Sequence, residues 1–226
     1  VAELKLKYGG EISCFGVPAT QVYHVGLDLV RRMRTGGLSL AMAVADPLWK
    51  SGNLEEGLVA AQIVGAMGRH IGGGDFERFE EWAGTLTNRA TADALALQVV
   101  SRSLAAKPSL VNRLKQWAMT SSPELRRTAI MTFVPLIRDG RFLTDAFSVF
   151  EELMTDQAAD IKEALAFALV EASRMQPERV FEFLSKWKSK LEIAFLRRAS
   201  AKLTHDQRAQ LFTDSGAGRE PTEKVE

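Results

Sequence analysis

The sequence predicts an all-α protein in which helix–turn–helix repeats stack into an α-α superhelix. Three observations predict it. Apolar residues recur with a helical period, and no segment alternates apolar and polar residues with period two for long enough to make a strand. Prolines stand where helices would start, and glycines or polar clusters stand where they would stop. One short pattern returns at a spacing of about 33–36 residues, the size of one helix pair in a solenoid.

In chain order, segment 19–33 follows Pro18 and runs into Arg31, Arg32 and Arg34 before Gly36-Gly37. Cations in a last turn and a glycine after it end a helix. Segments 38–50 and 54–69 flank Ser51-Gly52-Asn53. Gly72-Gly73-Gly74 reads as a plain loop, because it has neither a preceding strand nor the GxxxxGK(S/T) spacing of a phosphate cradle. Asp75 is expected to cap 76–86. Further helices read as 89–106, 108–119, 123–137, 141–154, 158–173, 177–189 and 191–202. Pro108, Pro123 and Pro177 begin three of them, where a missing N–H costs nothing, and Ser122 and Gln176 precede two. Residues 1–212 are expected to form one domain, and 213–226, without periodicity, a flexible tail. The chain opens at Val1 inside what reads as a helix, so residues upstream are expected.

The repeat is carried by Glu55-Glu56-Gly57-Leu58-Val59-Ala60-Ala61, Pro123-Glu124-Leu125-Arg126-Arg127-Thr128-Ala129 and Ala159-Asp160-Ile161-Lys162-Glu163-Ala164-Leu165. A fourth copy fits at Thr91-Ala92-Asp93-Ala94-Leu95-Ala96. Ala61, Ala96 and Ala129 share one position, where close helix packing favours a small side chain. A HEAT-like array fits this period, with an irregular helical bundle as the alternative. In such an array the second helix of each unit lines a concave face, and solenoids bind there. Asp93, Arg126 or Arg127, and Lys162 or Glu163 fall near the starts of those helices.

Composition narrows the class. The 226 residues carry 29 Lys+Arg, 28 Asp+Glu, one Cys and 46% apolar residues, which suits a soluble globular domain rather than a disordered chain. A lone Cys14 excludes an internal disulfide framework and points to a reducing, cytoplasmic setting. No apolar run is long enough for a membrane span, and no leader opens the chain. His24, His70, His205 and Cys14 have no metal-ligand spacing, so no metal is expected. No nucleophile elbow frames the serines. Glu55-Glu56 and Glu80-Glu81 read as solvated faces, and Trp49, Trp82 and Trp117 as core. The balanced charge is segregated. Residues 101–141 hold eight basic and two acidic side chains, 142–173 one and seven, and 174–208 nine and four. Such blocks can build a basic groove for a polyanion or simply solvate helix faces.

The same residues carry a resemblance. Phe15-Gly16-Val17-Pro18 after Tyr8, Leu48-Trp49 with Glu55-Glu56, the run Trp117 to Ala129, and Ile161 to Leu169 with Pro177-Glu178-Arg179-Val180 resemble, in order and spacing, the DNA alkylation repair family of bacterial HEAT-like glycosylases. The similarity covers residues 4 to 203. The resemblance implies a concave basic groove for duplex DNA and N-glycosylase hydrolysis of cationic alkylpurines such as 7-methylguanine and 3-methyladenine. It implies no cofactor or metal, and a lesion that stays stacked. It places the catalytic carboxylate at Asp93 and a DNA-contacting arginine at Arg127. Arg89 and Asn88 stand where the family has aromatic residues, and Phe167 stands where it has a second tryptophan. Arg89, so placed, is one helical turn from Asp93 and could pair with it. Arg126 and Lys162 join Arg89, Arg127 and Phe167 as candidate DNA contacts, Arg126 and Lys162 on charge and position alone. A monomer is expected. Two further readings stay open: a non-catalytic protein that binds damaged or distorted DNA, and a protein-interaction scaffold. Salt-sensitive binding separates the DNA readings from the scaffold.

Overall fold

The computed structural model describes residues 12–33 and 35–213. Val1, Tyr8, Arg34 and the expected tail beyond 213 lie outside the described residues. The chain forms helices α1 (Ala19–Met33), α2 (Gly37–Lys50), α3 (Leu54–Ala66), α4 (Phe76–Ala83), α5 (Arg89–Leu95), α6 (Ser101–Ala106) and α7 (Val111–Ala118). It continues with α8 (Pro123–Met131), α9 (Phe133–Arg138), α10 (Leu143–Phe150), α11 (Ala159–Met175), α12 (Pro177–Trp187), α13 (Ile193–Ala199) and α14 (His205–Thr213). Among the described residues there is no strand, only an isolated bridge between Ser13 and Asn53.

Side-chain caps set the starts of the helices that matter most. Asn53 Oδ1 accepts the N–H groups of Glu55 and Glu56 at the head of α3. Asn88 Oδ1 accepts those of Ala90 and Thr91 at the head of α5. Ser122 Oγ accepts that of Leu125 in α8. Each cap satisfies N–H groups that the first helical turn leaves unpaired. The three caps occupy the same position in successive repeats.

Helices α3, α5, α8, α11 and α13 pack side by side as an inner layer, with α1 against α3. Helices α2, α4, α7, α10 and α12 alternate with them along the chain as the outer layer. Outer-layer helices are tied to their neighbours one repeat on. Asp46 accepts from the Trp82 indole 36 residues later, Glu80 from Trp117 after 37, and Glu151 from Lys186 after 35. The expected period is therefore the distance between touching positions of adjacent repeats. Trp49, Trp82 and Trp117 are all buried, and the Trp49 and Trp82 rings stack at 4.6 Å. Their indole N–H groups reach acceptors, as burial of a polar atom requires.

The structure corrects several boundaries. Segment 89–106 is one rod divided by a π turn at Ala96–Val100. Segment 123–137 divides at Thr132, whose hydroxyl bonds the Thr128 carbonyl at 2.7 Å, and Pro135 has no N–H for the Met131 carbonyl. Asp75 does not cap α4; its carboxylate turns back to the Gly72 N–H at 2.7 Å. Helix α14 extends past the last expected helix and anchors through Leu211, which is fully buried. Glu55 is not a solvated face. It is 7% exposed and accepts the N–H groups of Phe15, Gly16 and Val17 at 2.7–3.1 Å, tying the loop before α1 to α3. Burial alone would raise its pKa, but the N–H donors outweigh burial and hold it below the ordinary value. Among the described residues no helix is long and apolar enough to cross a membrane.

Candidate functional site

The starts of α5, α8 and α11 bring five charged side chains together. Arg127 grips Asp93 with two parallel bonds, Nε to Oδ1 at 2.7 Å and Nη2 to Oδ2 at 2.8 Å. Its third nitrogen, Nη1, donates to the backbone carbonyl of Asp160 at 2.9 Å. The fork of a guanidinium matches a carboxylate edge, which fixes both partners in orientation as well as in distance. Arg127 is 6% exposed, while a quarter of the Asp93 side chain faces solvent. Burial works against the charged guanidinium. The bond and charge of Asp93, with Glu163 and Asp160 beyond, outweigh burial and hold the Arg127 pKa above its ordinary value.

Arg89 does not pair with Asp93. It reaches across α8 and donates from Nη1 to Asp160 Oδ1 at 3.1 Å and Glu163 Oε2 at 3.0 Å. These partners lie 71 and 74 residues away, two repeats on. Neighbouring helix axes are normally about 8–10 Å apart, so a single arginine spans two spacings only where the helix starts converge. The cluster contains Asp93, Asp160 and Glu163 against Arg89 and Arg127, so its acids outnumber its bases.

The remaining expected contacts lie nearby but are engaged. Arg126 Nη1 donates to the carbonyls of Thr120 and Ser121, and its Nε lies 2.8 Å from Asp156. Lys162 Nζ donates to Glu192 at 2.6 Å. Arg127 is buried against Asp93. All three cations therefore carry a carboxylate partner. Phe167 lies farther along α11 and is 40% exposed, with the Arg138 guanidinium 5.8 Å from its ring centre. It is exposed rather than filling the core.

Sequence reasoning misses Asp160 and Glu163 as partners of Arg89, although Asp160 is an anchor of the repeat. It also misses Glu171, which is buried and lies between Arg138 at 2.7 Å and Arg174 at 3.3 Å. Burial alone would raise the Glu171 pKa, but the two guanidiniums outweigh it and hold it down. A spacing of 33 residues between Arg138 and Glu171 is the signal that would find this pair. Among the described residues no group of three His, Cys, Asp or Glu side chains is placed to hold a metal ion.

A search among curated proteins finds no match to this chain. The model of one protein family, described as DNA alkylation repair enzyme, matches residues 5–203. That span includes every helix from α1 to α13, the Asp93–Arg127 pair and Phe167. The chain belongs to the DNA alkylation repair enzyme family, which gives it a role in DNA repair.

Proposed function

We propose that this protein binds duplex DNA along its inner-layer face and hydrolyses the N-glycosidic bond of cationic alkylpurines such as 7-methylguanine and 3-methyladenine. The observation that carries this reading is Asp93, held by a bidentate guanidinium and still a quarter exposed. The bond from the sugar carbon to the purine nitrogen breaks with both electrons passing to the base, which becomes neutral. The sugar is left with oxocarbenium character, water adds to it, and the water's proton passes to solvent by way of Asp93. The leaving base brings its own positive charge, so little acid catalysis is needed. The protein's task is to stabilise a cation where it develops, and a fixed carboxylate does that. The excess of acids in the cluster supports the same task. Arg89 carries its charge into Asp160 and Glu163, so it does not present a bare cation to the sugar.

A second reading, binding of damaged duplex without excision, is favoured by one observation. Arg89 stands where the resemblance places an aromatic ring beside the sugar. The experiment is release of 7-methylguanine from alkylated duplex DNA by the wild-type protein and by Asp93→Asn, with duplex binding measured in parallel. Asp93→Asn leaves Arg127 buried without its partner, so its melting temperature is measured too. Release by the wild type, lost in a folded Asp93→Asn that still binds DNA, is the expected result. Tight binding with no release by the wild type would sink the enzyme reading and leave the second.

A further inference from the structure

The cations at the helix starts are occupied, so a polyanion on this face needs others. Four arginines recur near the far ends of the inner helices: Arg69, Arg102, Arg138 and Arg174, at steps of 33, 36 and 36 residues. Arg69 lies in the 3-10 turn after α3, Arg102 in α6, Arg138 in the last turn of α9 and Arg174 in that of α11. All four are exposed. Arg69, Arg138 and Arg174 each stand 16 residues after the cap position of their repeat, and Arg102, 14 residues after Asn88, is brought beside Arg69 by the cleft they share, so the four make a ladder with one rung per repeat.

The ladder differs from the cluster at the helix starts in two ways. Arg69 and Arg102 have no acidic partner among the described residues. They line one open cleft of about 460 Å³, together with Gly65, Gly68 and Ala105, and no acidic side chain lines it. Close approach of two repeats shapes the cleft. A Cβ on Gly65 would meet the Gln98 backbone at 2.9 Å, and one on Gly68 would meet the Arg102 side chain at 3.3 Å. The other two rungs, Arg138 and Arg174, share the single carboxylate of Glu171 and keep a net positive charge between them.

We propose that Arg69, Arg102, Arg138 and Arg174 form a track for the phosphodiester backbone of DNA, separate from the acid-rich cluster at the starts of the same helices. Four rungs enclose three intervals of about 8–10 Å each and so cover roughly 24–30 Å, somewhat less than one turn of duplex at about 34 Å. The two bands divide the work on one face. Guanidiniums hold phosphates at the helix ends, and carboxylates await a cation at the helix starts. The inference rests on the duplex-binding reading above and assigns its phosphate contacts to residues other than Arg126, Arg127 and Lys162. Arginines near a helix C-terminus also complement the helix dipole, which alone would explain stability without DNA contact.

The test is the salt dependence of binding to a labelled duplex, followed by fluorescence anisotropy across a sodium chloride series. Removing one cation that neutralises a phosphate lowers the slope of log K against log salt by about 0.9. Arg69→Gln/Arg102→Gln is expected to lower it by about 1.8 with an unchanged melting temperature. Arg78→Gln/Lys186→Gln removes the same charge from the outer layer and is expected to leave the slope within error of the wild type. Equal slopes for the two double variants, with the wild type binding normally, would overturn the track alone. A lower melting temperature with an unchanged slope would assign the arginines to helix ends only, and also overturns it. If the wild-type protein binds no duplex, the duplex-binding reading itself falls and the track falls with it.

Discussion

Arg127 divides its guanidinium between the carboxylate of Asp93 and the backbone of Asp160, and so ties three helices at one buried point. A lysine in its place keeps the charge but not the fork, and reaches one acceptor where arginine reaches three. Arg127→Lys is therefore expected to cost about 1–2 kcal/mol of stability, read from urea unfolding. A loss under about 0.5 kcal/mol would show that the pair does not hold these helices together. The chemical types of Asp93 and Arg127 are legible in the sequence, because charged residues at repeated helix starts stand out against apolar neighbours. Their mutual bond is not legible. A cation 34 residues from an anion pairs with it only if the repeats stack in register, and Arg127 has Asp160 and Glu163 within reach as well. The partners of Arg89 are harder still, because they depend on how strongly the helix starts converge across two repeats.

Helix α5 carries Asp93 in its second turn, so the geometry of the site depends on how firmly α5 begins. Asn88 is 4% exposed and accepts two N–H groups there. Asn88→Ala removes both bonds and leaves buried donors without partners, at an expected cost of about 1–2 kcal/mol. Asn53→Ala, the equivalent cap on α3, is expected to cost a similar amount. Only Asn88→Ala should lower the rate of base release in folded protein at saturating DNA. Equal effects of the two variants on that rate would show that the start of α5 does not position the carboxylate. Ser122 is readable as the residue before a helix from the proline after it, whereas the capping roles of Asn53 and Asn88 emerge only in the structure. The π turn at Ala96–Val100 and the break at Thr132 are not readable. Both sit inside apolar runs with unbroken helical period, and they answer to how inner helices pack rather than to local propensity. Asp75 shows the opposite error, a good capping residue captured by a nearer N–H group.

Across the whole molecule, the segregated charge resolves into rows of bonds between repeats rather than into one uniformly basic face. Two of the carboxylates in those rows are both buried and held below the ordinary value of 4.5, Glu55 by backbone N–H groups and Glu171 by Arg138 and Arg174. A carboxyl whose pKa is lower in the folded chain than in the unfolded one stabilises the fold when ionised. That contribution is complete above the unfolded value and is lost as pH falls through the lowered folded value. Glu55 fastens the loop before α1, and Glu171 joins α9 to α11, so protonation loosens the array at two separate places. The stability of the wild type is therefore expected to fall as pH drops below the ordinary carboxylate value of 4.5. Glu55→Gln/Glu171→Gln keeps the shape of both side chains and removes the titration. It is expected to be less stable than the wild type by about 2–3 kcal/mol at pH 7, with the difference shrinking towards acid pH. The measurement is urea unfolding at several pH values. A gap between variant and wild type that stays constant across the series would show that other carboxylates carry the acid sensitivity. Because Glu55 and Glu171 share no bonding partner and lie on different helices, the two single variants should contribute additively.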